Sequence, residues 1–105
     1  MTRAGSPADR GDGADPGAWV YVLRCGDGTL YTGWSNDVER RLARHRAGAA
    51  SRYTASRLPV ELVLALPMAD RSAAMREEAR IKALDRASKL ALIAQYGLSA
   101  GPADG

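Results

Sequence analysis

The amino-acid sequence predicts an α/β (α+β) fold: a small three-stranded sheet, mainly antiparallel, flanked by three helices in the order strand, strand, helix, strand, helix, helix. Three observations lead there. Trp19 to Gly33 (WVYVLRCGDGTLYTG) sets two short runs on either side of Gly26-Asp27-Gly28, the pattern of a hairpin with a glycine-rich turn. Beyond Gly33 the apolar period lengthens from two residues to three and four, as on a helix. A last apolar run, Val60 to Leu66, stands between two such helical stretches and ends at Pro67.

In chain order, the first strand alternates so that Tyr21 shares a face with Trp19 and Leu23, while Val20 and Val22 point the other way. Tyr31 follows on the second strand, so two phenols can meet on one face. Asn36 and Glu39 have capping-box spacing, Val38 and Leu42 lie one turn apart, and Gly48 closes the segment, which predicts a helix over 37–47. Residues 49–58 read as a loop that closes over something, because small residues alternate there with Arg52, Tyr53, Thr54 and Arg57. Pro59 is acceptable at the start of the third strand. Asp70 is a good amino-terminal cap for a helix over 71–84, which sets Met75, Ala79 and Lys82 on one stripe and Ala74, Glu78 and Ile81 on the next. Asp85 caps a last helix, packed by Leu90, Leu92 and Ile93 and stopped at Gly97.

A chain of 105 residues suits one domain with a real core, and the expected folded unit is 18–98. Residues 1–17 and 99–105 are rich in Gly, Pro, Ala and Asp and poor in large apolar side chains, so both are expected to be disordered tails. No secretory leader is visible, and Leu62 to Leu66 is too short to span a bilayer. The expectation is a cytoplasmic protein with no membrane partner and no obligate protein partner. Cys25 stands alone, which excludes an intramolecular disulfide and a thiolate metal cluster. The net charge is +3, a mild preference for polyanions. Its distribution says more: Arg40, Arg41, Arg44, Arg46, Arg52 and Arg57 occupy one stretch without an Asp or Glu.

Five polar groups stand out on this scaffold: Tyr21, Tyr31, Arg41, His45 and Glu78. Arg41 and His45 are four apart and share a helix face. Read singly, each has a plain structural explanation. The tyrosines could be strand aromatics, Arg41 a solvated helix residue, His45 a packed or solvated imidazole, and Glu78 the partner of Lys82 in a surface ion pair.

Their conjunction is more specific. Val20-Tyr21-Val22, then Tyr31-Thr32-Gly33, Arg41 and the later Glu78 resemble the GIY-YIG nuclease superfamily. YTGWSNDVERRLARHRAG, SRYTASRLPVELV and EARIKALDRASKLALI more closely resemble its small single-domain bacterial branch, the uncharacterised UPF0213-like family. The likeness covers nearly all of Ala18 to Ile93.

That resemblance implies a metal-dependent endonuclease that hydrolyses phosphodiester bonds in DNA, with branched or single-stranded repair and recombination intermediates as expected substrates and RNA left open. It implies one divalent ion, Mg²⁺ or Mn²⁺, on Glu78. Arg41 then neutralises the phosphate, Tyr21 is the favoured base with Tyr31 positioning water or phosphate, and His45 assists. A free phenol has a pKa of about 10, so a resting phenolate at pH 7 needs about 4 kcal/mol from nearby cations. Arg40, Arg44, Arg52, Tyr53 and Arg57 are the expected guides for the nucleic-acid backbone. Trp34 stands where DNA-repair excision relatives carry a lysine; it is either a core residue or a platform for a stacked base. That departure also motivates an alternative, a nucleic-acid binding module with an idle or degenerate nuclease site.

Overall fold

The computed structural model describes residues 17–98, and apart from Gly17 the two expected tails lie outside them. Three strands, β1 (Ala18–Arg24), β2 (Leu30–Ser35) and β3 (Glu61–Met68), form one sheet in the order β2-β1-β3. Both pairings are antiparallel. Four helices complete the domain: α1 (Val38–Arg46), α2 (Arg52–Ala55), α3 (Arg71–Lys82) and α4 (Arg86–Tyr96).

The strand alternation sorts the central strand into two cores. Ala18, Val20 and Val22 face α3 and α4, where they pack with Leu64, Ala74 and Ile81, flanked by Leu92 and Ile93. Tyr21 and Leu23 face the other way and pack with Cys25 and Val60, flanked by Val38 and Leu42 of α1. A bulge lets β3 serve the first core twice: Val22 opposes Leu64 and Leu23 opposes Leu62, so the extra residue Val63 is buried beside Leu64.

The hairpin turn follows the glycine rule at one position, Gly28, whose φ of 86° is costly for other residues. The turn is also held from outside. Gly26 N donates to Arg57 O at 2.7 Å, and Asp27 pairs with the Arg57 guanidinium at 3.1 Å. The segment after α2 is thereby tied to the tip of the hairpin.

Each helix begins on a side-chain cap, with Asp37, Ser51, Asp70 and Asp85 accepting from the backbone N–H three residues on. The cap of α1 is Asp37 rather than Asn36. Three helices were expected, and α2 is the addition: Ser51 Oγ accepts from Thr54 N at 3.1 Å and turns the expected loop into one helical turn. The third strand also runs past its expected end. Pro67 lies within it opposite Trp19, which an edge strand tolerates because one row of its N–H groups faces away from the ladder. No helix among the described residues is long and apolar enough to cross a membrane.

Leu64 is fully buried between sheet and helices, whereas Leu90 on α4 is 37% exposed. Leu64→Ala is expected to lower unfolding stability by about 2–5 kcal/mol in denaturant titration and Leu90→Ala by less than about 1 kcal/mol. Equal losses would contradict the core assignment.

Candidate active site

Tyr21 is 2% exposed at the middle of β1, directly opposite Gly33 on β2. Its phenol lies over that glycine. A Cβ at residue 33 would sit 2.6 Å from the phenol oxygen, so the second triplet needs glycine to let the ring lie flat across the strand.

The phenol oxygen is 2.8 Å from Nε2 of His45, which comes from the last turn of α1 and is 1% exposed. On the far side of the imidazole, Nδ1 is 2.8 Å from Oγ1 of Thr54, a buried residue of α2. One direction of these bonds is consistent through to the end of the line. The Thr54 hydroxyl has the Ser51 carbonyl to donate to at 3.4 Å, and Ser51 Oγ stands 2.9 Å away. With the Thr54 hydroxyl donating to that carbonyl, Thr54 accepts from Nδ1–H, Nε2 is left as an acceptor, and the Tyr21 phenol donates to it.

Tyr31 completes the wall around His45. Its ring meets the imidazole edge-on at 5.2 Å between centroids, and Tyr21 does so at 5.7 Å. Tyr53 lies 5.9 Å from Tyr31, with the Arg57 guanidinium 3.8 Å above the Tyr53 ring.

Burial pushes the Tyr21 phenol up to about 12, helped by the neighbouring Tyr31 and Glu78 and opposed by Arg41. The lowering that a resting tyrosinate requires is thus absent in the protein alone. Burial, and then the charge of Arg41, hold the His45 imidazole below its usual value, so it is neutral and able to accept a proton. An acceptor faces a donor across a short, buried hydrogen bond.

Five of the sequence-derived groups converge: Tyr21, Tyr31 and His45 by contact, Arg41 and Glu78 through charges that act on the phenol. Arg41 is exposed one turn before His45, with Arg40 and Arg44 beside it. Glu78 is partly buried, 22% exposed at its side chain, and lies 3.4 Å from Lys82. Among the described residues no three His, Cys, Asp or Glu side chains gather as a ligand set. The fit for a divalent ion rests on one carboxylate whose charge acts on the Tyr21 phenol, and a single such ligand suits a hard, water-rich ion such as Mg²⁺ that needs few protein oxygens.

Other residues are placed differently. Trp34 opposes Val20 and so stands on the face away from the tyrosines. Arg57 is engaged with Asp27 and donates to the Tyr53 carbonyl at 3.0 Å, a bracing role rather than that of an open phosphate contact. Arg44 donates to Ala49 O at 3.1 Å yet remains exposed, as does Arg52 at the start of α2. The sequence reading missed Thr54 and Ser51 as supports of His45. Nothing in the spacing of nine residues between His45 and Thr54 announces their contact.

The GIY-YIG catalytic domain model matches residues 17–91. A UPF0213 protein of Natronomonas pharaonis is 53% identical over 76 residues, 72% of this chain and 89% of its own length. One from Streptococcus agalactiae is 47% identical over 79 residues, 75% of this chain and 90% of its own. Among solved structures, the solution NMR structure of a UPF0213 protein from Bacillus halodurans is similar with a TM-score of 0.53 and 39% identity, covering 81% of this chain and 87% of that one.

The lowered His45 value sets a sign for acid stability. Above the unfolded-state value both states hold a neutral imidazole; below it the unfolded chain binds the proton first, so stability falls as pH falls through about 6.5. Thermal unfolding of the parent should lose stability between pH 7.5 and 5 more steeply than His45→Gln, by at most about 1.4 kcal/mol per pH unit. Parallel curves would show that His45 titrates as a free imidazole.

Proposed function

This chain belongs to the GIY-YIG catalytic domain family, a family of nucleases, and from that premise we propose that it is a metal-dependent nuclease hydrolysing phosphodiester bonds in DNA. The observation that carries the reading is the buried line from Tyr21 through His45 to Thr54, set beside the exposed Arg41. The matching fold class, shared with the Bacillus halodurans protein, gives the scaffold but not the substrate.

Hydrolysis of a phosphodiester needs an activated water, neutralisation of the phosphoryl oxygens and stabilisation of the leaving oxygen. Arg41 serves the second need, since its planar fork is always charged and binds two phosphate oxygens at once. The first falls to Tyr21 and His45 together. A phenol near 12 does not ionise at rest beside an imidazole held below its usual value. Proton movement is therefore coupled to attack. As the water oxygen approaches phosphorus, its proton passes to the Tyr21 oxygen while the phenol proton passes to His45 Nε2, so the tyrosine is neutral before and after and the charge ends on the imidazole. Thr54 holds that imidazole with Nε2 toward the phenol. Tyr31 fixes its plane and bounds the water. Glu78 is the residue that would hold the divalent ion, Mg²⁺ or Mn²⁺, and the chemistry such an ion supplies is charge neutralisation at the leaving oxygen. Arg40, Arg44 and Arg52 are the exposed cations that would guide the strand.

The alternative of a binding module with an idle site has one observation in its favour: Glu78 is already paired with Lys82, and among the described residues no group of three His, Cys, Asp or Glu side chains gathers as a ligand set. Metal-dependent cleavage separates the two readings.

With Mg²⁺ or Mn²⁺, the purified protein should cut single-stranded, flapped or branched DNA. Arg41→Ala, Glu78→Ala and Tyr21→Phe should each reduce the rate by about 10²-fold or more with the fold intact by circular dichroism. Thr54→Val should cost about tenfold in kcat with KM little changed, and Thr54→Ser should restore most of it. A protein that cuts no DNA or RNA with either ion, or variants that cut as well as the parent, would overturn the proposal.

A further inference from the structure

Two openings beside the active site meet at Arg41. One, of about 410 Å³, is lined by Gly17, Trp34, Ser35, Asn36, Arg41 and Arg71. The other, of about 460 Å³, is lined by Ser35, Asn36, Asp37, Arg40, Arg41 and Arg44. Because Ser35, Asn36 and Arg41 border both, they form one channel over the corner between β2 and α1. Its charge is lopsided: four arginines line it against one carboxylate, Asp37, whose Oδ1 is taken up in capping α1.

The two ends differ in chemistry. Past Arg40 and Arg44 the channel is cationic and polar and suits a run of backbone phosphates. At the other end the Arg71 guanidinium lies 5.6 Å from the centroid of the half-buried Trp34 ring. An indole paired with a guanidinium plane is a surface on which a nucleobase stacks, and such stacking asks nothing of base identity. A base in a duplex keeps its faces against its neighbours and does not reach such a surface. The position of Arg41 fixes the register, because the residue beside the Tyr21 phenol also borders the Trp34 end.

We propose that the channel is a subsite for an unpaired nucleotide adjoining the scissile phosphate, its base against Trp34 and Arg71, its phosphate between Arg71 and Arg41, and its strand continuing past Arg40 and Arg44. This rests on the phosphodiester reading of the active site for the identity of the scissile phosphate, while the binding itself is separable. It gives the nuclease a substrate class: single strands, flaps and frayed junctions rather than intact duplex. Arg71, which lies outside every motif of the active site, becomes a specificity-determining residue.

The test uses the full chain carrying Glu78→Gln, in EDTA, so that binding is read without cleavage. The sequence has two tryptophans, and Trp19→Phe leaves Trp34 as the reporter. Titration with a dT oligonucleotide of about ten residues should quench Trp34 fluorescence saturably, an abasic oligomer of equal length should bind about tenfold more weakly with little quenching, and a blunt duplex should not quench. Arg71→Ala should weaken dT binding by about tenfold. If Trp19→Phe does not fold, Trp34→Phe in the otherwise unchanged chain should abolish the quenching instead. Equal binding of the abasic oligomer, equal quenching by the duplex, or no effect of Arg71→Ala would overturn the subsite. A chain that shows the quenching but never cuts keeps the subsite and loses the nuclease reading; one that cuts without the quenching does the reverse.

Discussion

A single buried hydrogen bond, 2.8 Å from the Tyr21 phenol to His45 Nε2, joins the centre of the sheet to the last turn of α1. Much of the domain is arranged so that it can form. Gly33 clears the space over β2 into which the phenol extends. Ser51 nucleates α2, α2 presents Thr54, and Thr54 fixes the far nitrogen of the imidazole. The hairpin tip is tied through Asp27 and Gly26 to Arg57, which holds the segment after α2 against the same face. Buried polar groups are costly unless satisfied, and here the Tyr21 phenol, the His45 imidazole and the Thr54 hydroxyl each have a partner in line.

The price of that arrangement is a phenol and an imidazole whose pKa values are pushed apart, one up to about 12 and the other down. For a stationary catalytic base this is the wrong direction. For a donor and acceptor that exchange a proton only during attack it is workable, because neither group carries charge at rest and no charge is buried in the resting protein. Arg41 stays exposed and so remains charged and available to a phosphate without the cost of desolvation.

Much of the fold was legible in the sequence because its signals are local. Asp70 and Asp85 announce two helices by capping, Gly28 marks the hairpin turn, and the alternation from Trp19 to Leu23 separates the two cores. Where reading failed, the cause was a tertiary choice between near-equal local options. Asp37 displaced Asn36 as the cap by one residue, and Ser51 turned a loop into one turn of helix. Pro67 was read as a stop, yet it falls where an edge strand tolerates it. The candidate site residues could be picked out only as a conjunction of spacings. Arg41 and His45 do lie one turn apart, but their separation in depth, one exposed and one 1% exposed, depends on where α1 sits against the sheet. Thr54 was invisible as a site residue because its partner is nine residues away on another helix. The placement of Trp34 on the opposite face follows from the strand period once Val20 is known to oppose it.

The central claim is that His45 is neutral, with its proton on Nδ1 toward Thr54 and its Nε2 accepting from Tyr21. Nitrogen-15 chemical shifts of the His45 ring report this directly, and since the chain has one histidine the signals need no assignment. Near pH 7.5 the account predicts a protonated, pyrrole-like Nδ1 and an unprotonated, hydrogen-bonded Nε2, with that pattern persisting below pH 6.5. A proton on Nε2 instead, or an imidazolium already formed at neutral pH, would contradict it.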